Sequence, residues 1–134
     1  MTVAKSFTKL IYSDITYKIN GILFGVHNEL GRFCNEKQYS DSIENKLKEA
    51  NIIYKREEVI PSSFEGELKG RNKVDFVIED KIILEVKTKR MLDKDDYYQV
   101  RRYLDAFNKK LGILVNFRQK LLQPKRILNS SVEE

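Results

Sequence analysis

The sequence predicts an α/β sandwich with a mixed sheet. Three observations point there. Apolar residues recur at helical spacing over 15–30 and again over 36–50. Runs alternating with period two follow at 52–60, 74–78 and 82–87, and a third helical stretch from 93 to 108 leads into an apolar run at 111–117. The order helix, helix, three strands, helix, strand supplies amphipathic helices to cover the sheet. The crossover after residue 87 also allows a parallel strand pair.

Composition fits this frame. A chain of 134 residues, 41% hydrophobic and 34% charged, can bury a core as one domain over 1–134, with 1–13 and 129–134 expected as loose ends. Nothing in it reads as a membrane span. The lone Cys34 excludes an internal disulfide and cannot build a zinc site with the single His27. Residues 1–10 lack the apolar run of an export signal, so a cytoplasmic protein is expected. The net charge of +5 permits contact with phosphates without demanding it.

In the first helix Ile15, Ile19, Ile22, Leu23, Val26 and Leu30 form one stripe, Asp14 suits the cap, and Gly31 suits a left-handed stop. Gly21 and Gly25 suggest close backbone packing on one side. His27 lies off the stripe. In the second helix Tyr39, Ile43 and Leu47 form the buried stripe, and Asn51 suits the stop. Glu36 in the first turn favours the helix dipole. The first strand, 52–60, ends at Pro61, and Phe64 in the following loop is expected to tuck under.

The centre is the hairpin of residues 74–87. In its second strand Ile82, Leu84 and Val86 point one way while Ile83, Glu85 and Lys87 point the other. If Val74, Phe76 and Ile78 share the buried side with the first set, a three-residue loop at 79–81 pairs Ile78 with Ile82 and sets Asp75 opposite Glu85. Two opposed carboxylates are unfavourable unless a positive charge lies between them, and a hard divalent cation takes such oxygen ligands. A slip of two residues would instead set Asp75 opposite Lys87 as an ordinary ion pair. Alternation alone leaves both registers open.

After the hairpin come Lys89 and Arg90, then Asp93 as the cap of a helix to about 108. Tyr97, Val100, Leu104 and Phe107 make its stripe, with Gln99 and Tyr103 together on an adjacent face. The run at 111–117 reads as a central strand covered on both sides, and Ile127 and Leu128 as an edge strand. Two basic segments flank the hairpin. Lys69, Arg71 and Lys73 precede it, while Arg118, Lys120, Lys125 and Arg126 form the exit.

Asp75 followed by Glu85-Val86-Lys87 resembles the D…(D/E)-x-K signature of the PD-(D/E)xK nuclease superfamily. The segments around Phe33 to Tyr39, Asn72 to Phe76, Leu84 to Lys87 and Leu114 to Phe117 are similar to the small bacterial GxxExxY family, from about Ile15 to Leu128. The resemblance implies an αβββαβ core with an extra N-terminal helix. It also implies a metal-dependent nuclease that hydrolyses phosphodiester bonds of DNA or RNA by in-line attack of a metal-activated water.

Asp75, Glu85 and the Val86 backbone carbonyl would then hold Mg²⁺ or Mn²⁺, with Glu36 completing the shell through water and Lys87 orienting the attacking water. Glu44 is a weaker candidate than Glu36. Gln99 and Tyr103 resemble the Q-x-x-x-Y element that positions nucleic acid, with Arg71, Lys73, Lys89, Arg118, Lys125 and Arg126 as backbone contacts and DNA favoured over RNA. Two departures stand out. Gly25 replaces a Glu usual before the Val-His pair, and Phe33 replaces a usual Gly. They keep open an inactive nucleic-acid-binding or scaffold protein. A subunit of a larger nuclease complex is a weaker, separate alternative, and a homodimer is a further partner state.

Overall fold

A computed structural model of the chain describes residues 11–68 and 72–132. Helices α1 (Ser13–Leu30) and α2 (Glu36–Glu49) precede strands β1 (Tyr54–Val59), β2 (Lys73–Ile78) and β3 (Ile82–Lys87). Helix α3 (Lys94–Phe107) then leads to β4 (Leu111–Asn116) and β5 (Lys125–Leu128). The sheet runs β1-β2-β3-β4-β5, antiparallel except for the parallel β3–β4 pair that α3 connects. This is the mixed α/β architecture expected, with the edge strand anticipated at Ile127 and Leu128 beginning at Lys125.

Two cores lie on either side of the sheet. Ile19, Leu23, Val26, Tyr39, Ile43 and Leu47 from α1 and α2 pack on Phe76, Ile78, Ile82, Leu84, Val86, Ile113 and Val115. On the opposite face, Val100, Tyr103 and Leu104 of α3 cover Val74, Val77, Ile83, Leu114 and Ile127. Each fully buried aliphatic side chain contributes about 1.5–3 kcal/mol, so both helical layers are held chiefly by apolar burial. Strand β4 is buried along its whole length, which explains its unbroken apolar sequence.

The seat of α3 depends on one missing side chain. A Cβ at Gly112 would lie 2.7 Å from Val100 Cγ1, closer than any real contact, so the helix settles onto β4 only because residue 112 has none. The glycines singled out in the first helix do no such work. Gly21 has nothing within 4 Å, and the nearest atom to a Cβ at Gly25 would be Lys46 Cε at 3.8 Å.

Several other expectations are corrected. Tyr12, with left-handed φ 54, precedes α1, and Asp14 stands inside the first turn instead of capping it. Helix α2 is capped by Asn35, whose side chain accepts from Gln38 N–H while the Gln38 side chain accepts from Asn35 N–H. Phe64 is exposed. The segment after β5 is pinned rather than frayed through Val132, since buried Asn129 donates to Asp105 at 2.8 Å and accepts from the Ser131 hydroxyl at 2.6 Å. Among the described residues no helix is long and apolar enough to cross a membrane.

The hairpin register is the first of the two considered, with Ile78 opposite Ile82 and Phe76 opposite Leu84. One detail differs. Val74 packs with Val77 in the α3-side core, not with Phe76 and Ile78. The alternation breaks at Asp75, and Glu57 on the neighbouring strand, between the Arg56–Phe76 and Glu58–Val74 pairs, has left-handed φ 54. Such a conformation costs a side-chain-bearing residue about 1–2 kcal/mol, so the sheet is locally strained beside this acid.

Candidate active site

The ladder between β2 and β3 stops at Phe76 and Leu84, and carboxylates take over from backbone carbonyls. Asp75 Oδ2 accepts from Val86 N–H at 2.7 Å, and Glu85 Oε1 accepts from Asp75 N–H at 2.8 Å. Each acid thus spends one oxygen on the opposite strand. Asp75 Oδ1 and Glu85 Oε2 have no hydrogen-bond partner among the described residues.

Burial makes this pair expensive to ionise twice. Glu85 is 5% exposed. Its carboxyl is pushed up to about 8, first by desolvation and then by the Asp75 charge. Asp75 is raised to about 6, again by desolvation first, with the Val86 hydrogen bond opposing and Glu36 adding. The two acids therefore share a proton near neutrality, as close carboxylates do.

Lys87 leaves the same strand beside them, and its charge lowers both carboxyls. Its Nζ donates to Gln99 Oε1 at 2.9 Å and lies 4.0 Å from Asp96 Oδ1. Helix α3 thus holds the ammonium from one side. Tyr103, one turn beyond Gln99, is buried, and desolvation followed by the Glu85 charge raises its phenol to about 12. Tyr103 also borders a cavity of about 190 Å³ shared with Ile60, Asn72 and Arg102.

On the other side Glu36, Lys37, Ser40, Arg56, Glu57 and Asp75 line a cavity of about 230 Å³. Glu36 is exposed at the start of α2 and faces Asp75 across this space. Among the described residues no group of three or more His, Cys, Asp or Glu converges as a ready metal cage. The donors present still suit a hard divalent cation, because Mg²⁺ commonly takes only one or two carboxylates and fills its shell with water and substrate oxygens. Two carboxylate oxygens without partners, on a pair short of positive charge, are such donors.

Asp75, Glu85, Lys87, Gln99 and Tyr103 come together, with Glu36 across the cavity. The other sequence candidates lie apart or are engaged. Glu44 accepts from Tyr54 at 2.7 Å and Arg56 at 2.9 Å. His27 Nε2 lies 2.9 Å from the Gln119 carbonyl. Lys89 is tied to Asp93 and Asp96 at 3.3 and 2.9 Å. Arg126 turns to α1, donating to Thr16 Oγ1 and the Ile11 carbonyl, each at 3.2 Å. Lys125 stands on the edge strand, two strands from β3, and donates to Gln123 at 3.4 Å. Lys73 is exposed at the start of β2, and Arg71 lies outside the described residues.

Sequence reasoning overlooked three residues that shape the site. Arg56 leans over Phe76, pairs with Asp41 and Glu44, and brings positive charge towards Asp75. Asp96 is buried beside Lys87, and the Asp93-x-x-Asp96 spacing is the capping-box signal that could have found it. Asn116, fully buried opposite Lys87, accepts from Lys89 N–H at 3.0 Å and donates to the Lys89 carbonyl at 2.7 Å. It fixes the strand exit just after the lysine.

Fold and site together define a mixed-sheet α/β protein built around an acid pair and a lysine on its central hairpin. A family model described as the PD-(D/E)XK nuclease superfamily matches residues 13–127, and the chain belongs to that superfamily. No curated protein and no solved structure matches the chain significantly.

Proposed function

We propose that this protein is a divalent-metal-dependent nuclease acting on DNA in preference to RNA, and that within the superfamily it falls in the GxxExxY group. The supporting observation is the cross-strand lock between Asp75 and Glu85, with the Lys87 ammonium beside it. Asp75, Glu85 and the Val86 carbonyl would hold Mg²⁺ or Mn²⁺, with Glu36 reaching the shell through water. When bound, the cation supplies Lewis-acid polarisation of a phosphoryl oxygen and offsets the charge of the acid pair.

The chain's own groups do the rest. Lys87, aimed by Gln99, counters negative charge developing on the phosphoryl oxygens, where a pre-positioned donor has its largest effect. Desolvation around Glu85 strengthens that interaction. Gln99 and Tyr103 form the wall against which the nucleic-acid backbone is held.

A second reading, a nucleic-acid-binding protein without turnover, is favoured by the exposure of Glu36, which among the described residues leaves two acids in close contact at the hairpin. Incubation of labelled single- and double-stranded oligonucleotides with Mg²⁺ or Mn²⁺ separates the two. Metal-dependent cutting that disappears in Lys87→Ala supports the nuclease. Binding without cutting under every metal condition supports the alternative.

A further inference from the structure

The loop joining α1 to α2 carries an aromatic ring that apolar packing does not explain. Phe33 is 76% exposed. Two guanidinium groups flank it, Arg32 Cζ at 5.2 Å and Arg118 Cζ at 5.7 Å from the ring centroid. The arginines brace one another: Arg32 Nε donates to the Arg118 carbonyl at 2.9 Å, and Arg118 Nε donates to the Arg32 carbonyl at 3.0 Å. That reciprocal clamp uses only the Nε groups. The terminal Nη groups of both make no hydrogen bond or ion pair among the described residues.

This cluster is tied through the chain to both sides of the site. Phe33 lies three residues before Glu36, which lines the Asp75 cavity. Arg118 N–H donates to Asn116 Oδ1 at 3.2 Å, and Asn116 is the cross-strand partner of Lys87. A largely exposed ring beside two braced cations offers an apolar surface for a base and Nη donors for neighbouring phosphates. Stacking of this kind requires an unpaired base, because a duplex hides its base faces. Self-association would bring the same arginines of two copies together, which their charges oppose.

We propose that Phe33, with Arg32 and Arg118, is a base-stacking platform that makes single-stranded nucleic acid the substrate of this site. The proposal rests on the nuclease reading for the word substrate, but its test needs no cleavage. The chain contains no tryptophan, so Phe33→Trp installs a single indole reporter. In EDTA, titration with a thymidine oligonucleotide should quench that indole, whereas an abasic oligonucleotide of equal length should not. By anisotropy the wild type should bind the base-bearing strand about tenfold more tightly than the abasic one, and Phe33→Ala should abolish that ratio. Because Phe33 is exposed, Phe33→Ala should keep the wild-type melting temperature, which separates lost stacking from lost folding.

An unquenched indole, or an undiminished ratio in Phe33→Ala, overturns the platform even if the protein cuts DNA. Absence of cutting with quenching intact overturns the nuclease and leaves the platform standing. An emission change that follows protein concentration without oligonucleotide makes the face a contact between copies and likewise overturns it.

Discussion

The Glu85 carboxylate accepts the backbone N–H of Asp75 at 2.8 Å, while the Asp75 carboxylate accepts the N–H of Val86 at 2.7 Å. The two acids are therefore parts of the sheet's hydrogen bonding, not side chains projecting freely from it. Backbone hydrogen bonds fix where the two carboxyls stand, and both are desolvated there. Such preorganisation removes the reorganisation that an ion or substrate would otherwise require.

Stability should depend on pH in a direction set by this pair. With Asp75 raised to about 6 and Glu85 to about 8, the folded protein keeps a proton that the unfolded chain releases above the usual carboxylate range. The unfolded state then binds fewer protons, so stability falls as pH rises from about 4.5 through about 8. Melting curves in EDTA should show this decline. Glu85→Gln should flatten it and melt at least about 4 °C higher than wild type at pH 8, a shift worth on the order of 1 kcal/mol.

A divalent cation should reverse the same penalty. Binding must displace the shared proton, so apparent Mn²⁺ affinity should increase between pH 6 and 8. Saturating Mn²⁺ at one hundred times its dissociation constant should stabilise the wild type by about 2.7 kcal/mol. Asp75→Asn should lose that stabilisation in a thermal-shift titration. Arg126→Gln, remote from the acids, should retain it.

In the proposed nuclease, Gln99 would act through Lys87. Removing its Oε1, 2.9 Å from the ammonium, leaves Asp96, 4.0 Å away, to draw the lysine aside. Gln99→Ala should therefore lower kcat by about tenfold, the effect of a misplaced donor. Gln99→Glu, which keeps an acceptor at that atom, should recover binding of Lys87 and shift the pH profile. Steady-state kinetics across pH distinguish this from a general loss of fold.

Packing makes its own prediction at Gly112. The 2.7 Å approach of a Cβ to Val100 leaves no room for a methyl group, so Gly112→Ala should destabilise by about 1–3 kcal/mol in urea unfolding. Val100→Ala in the same chain should recover part of that loss by vacating the space.

Much of this was legible in the residue order because it rests on local chemistry. Alternation fixed the faces of β3, the parity of the 79–81 loop allowed the observed register, and Asp93 announced the start of α3. Asp75, Glu85 and Lys87 were singled out by their resemblance to the D…(D/E)-x-K signature, since alternation alone left two registers open. What escaped were contacts between elements distant in sequence. The fit of Gly112 under Val100, the turn of Arg126 towards Thr16 and the approach of Arg56 to Asp75 have no periodic signature. The strain at Glu57 escaped too, since an acidic residue in a strand gives no hint of a left-handed backbone. Basic residues were the least legible, because Lys89 and Arg126 are consumed by internal partners that charge counting cannot see.

The most direct measurement is cleavage of a labelled single-stranded oligonucleotide by wild type, Asp75→Asn and Lys87→Ala, each with Mg²⁺ or Mn²⁺ and with EDTA. Metal-dependent cutting by the wild type, reduced at least about a hundredfold in both variants, is the predicted result. Equal cutting by all three proteins, or cutting that persists in EDTA, would contradict the account.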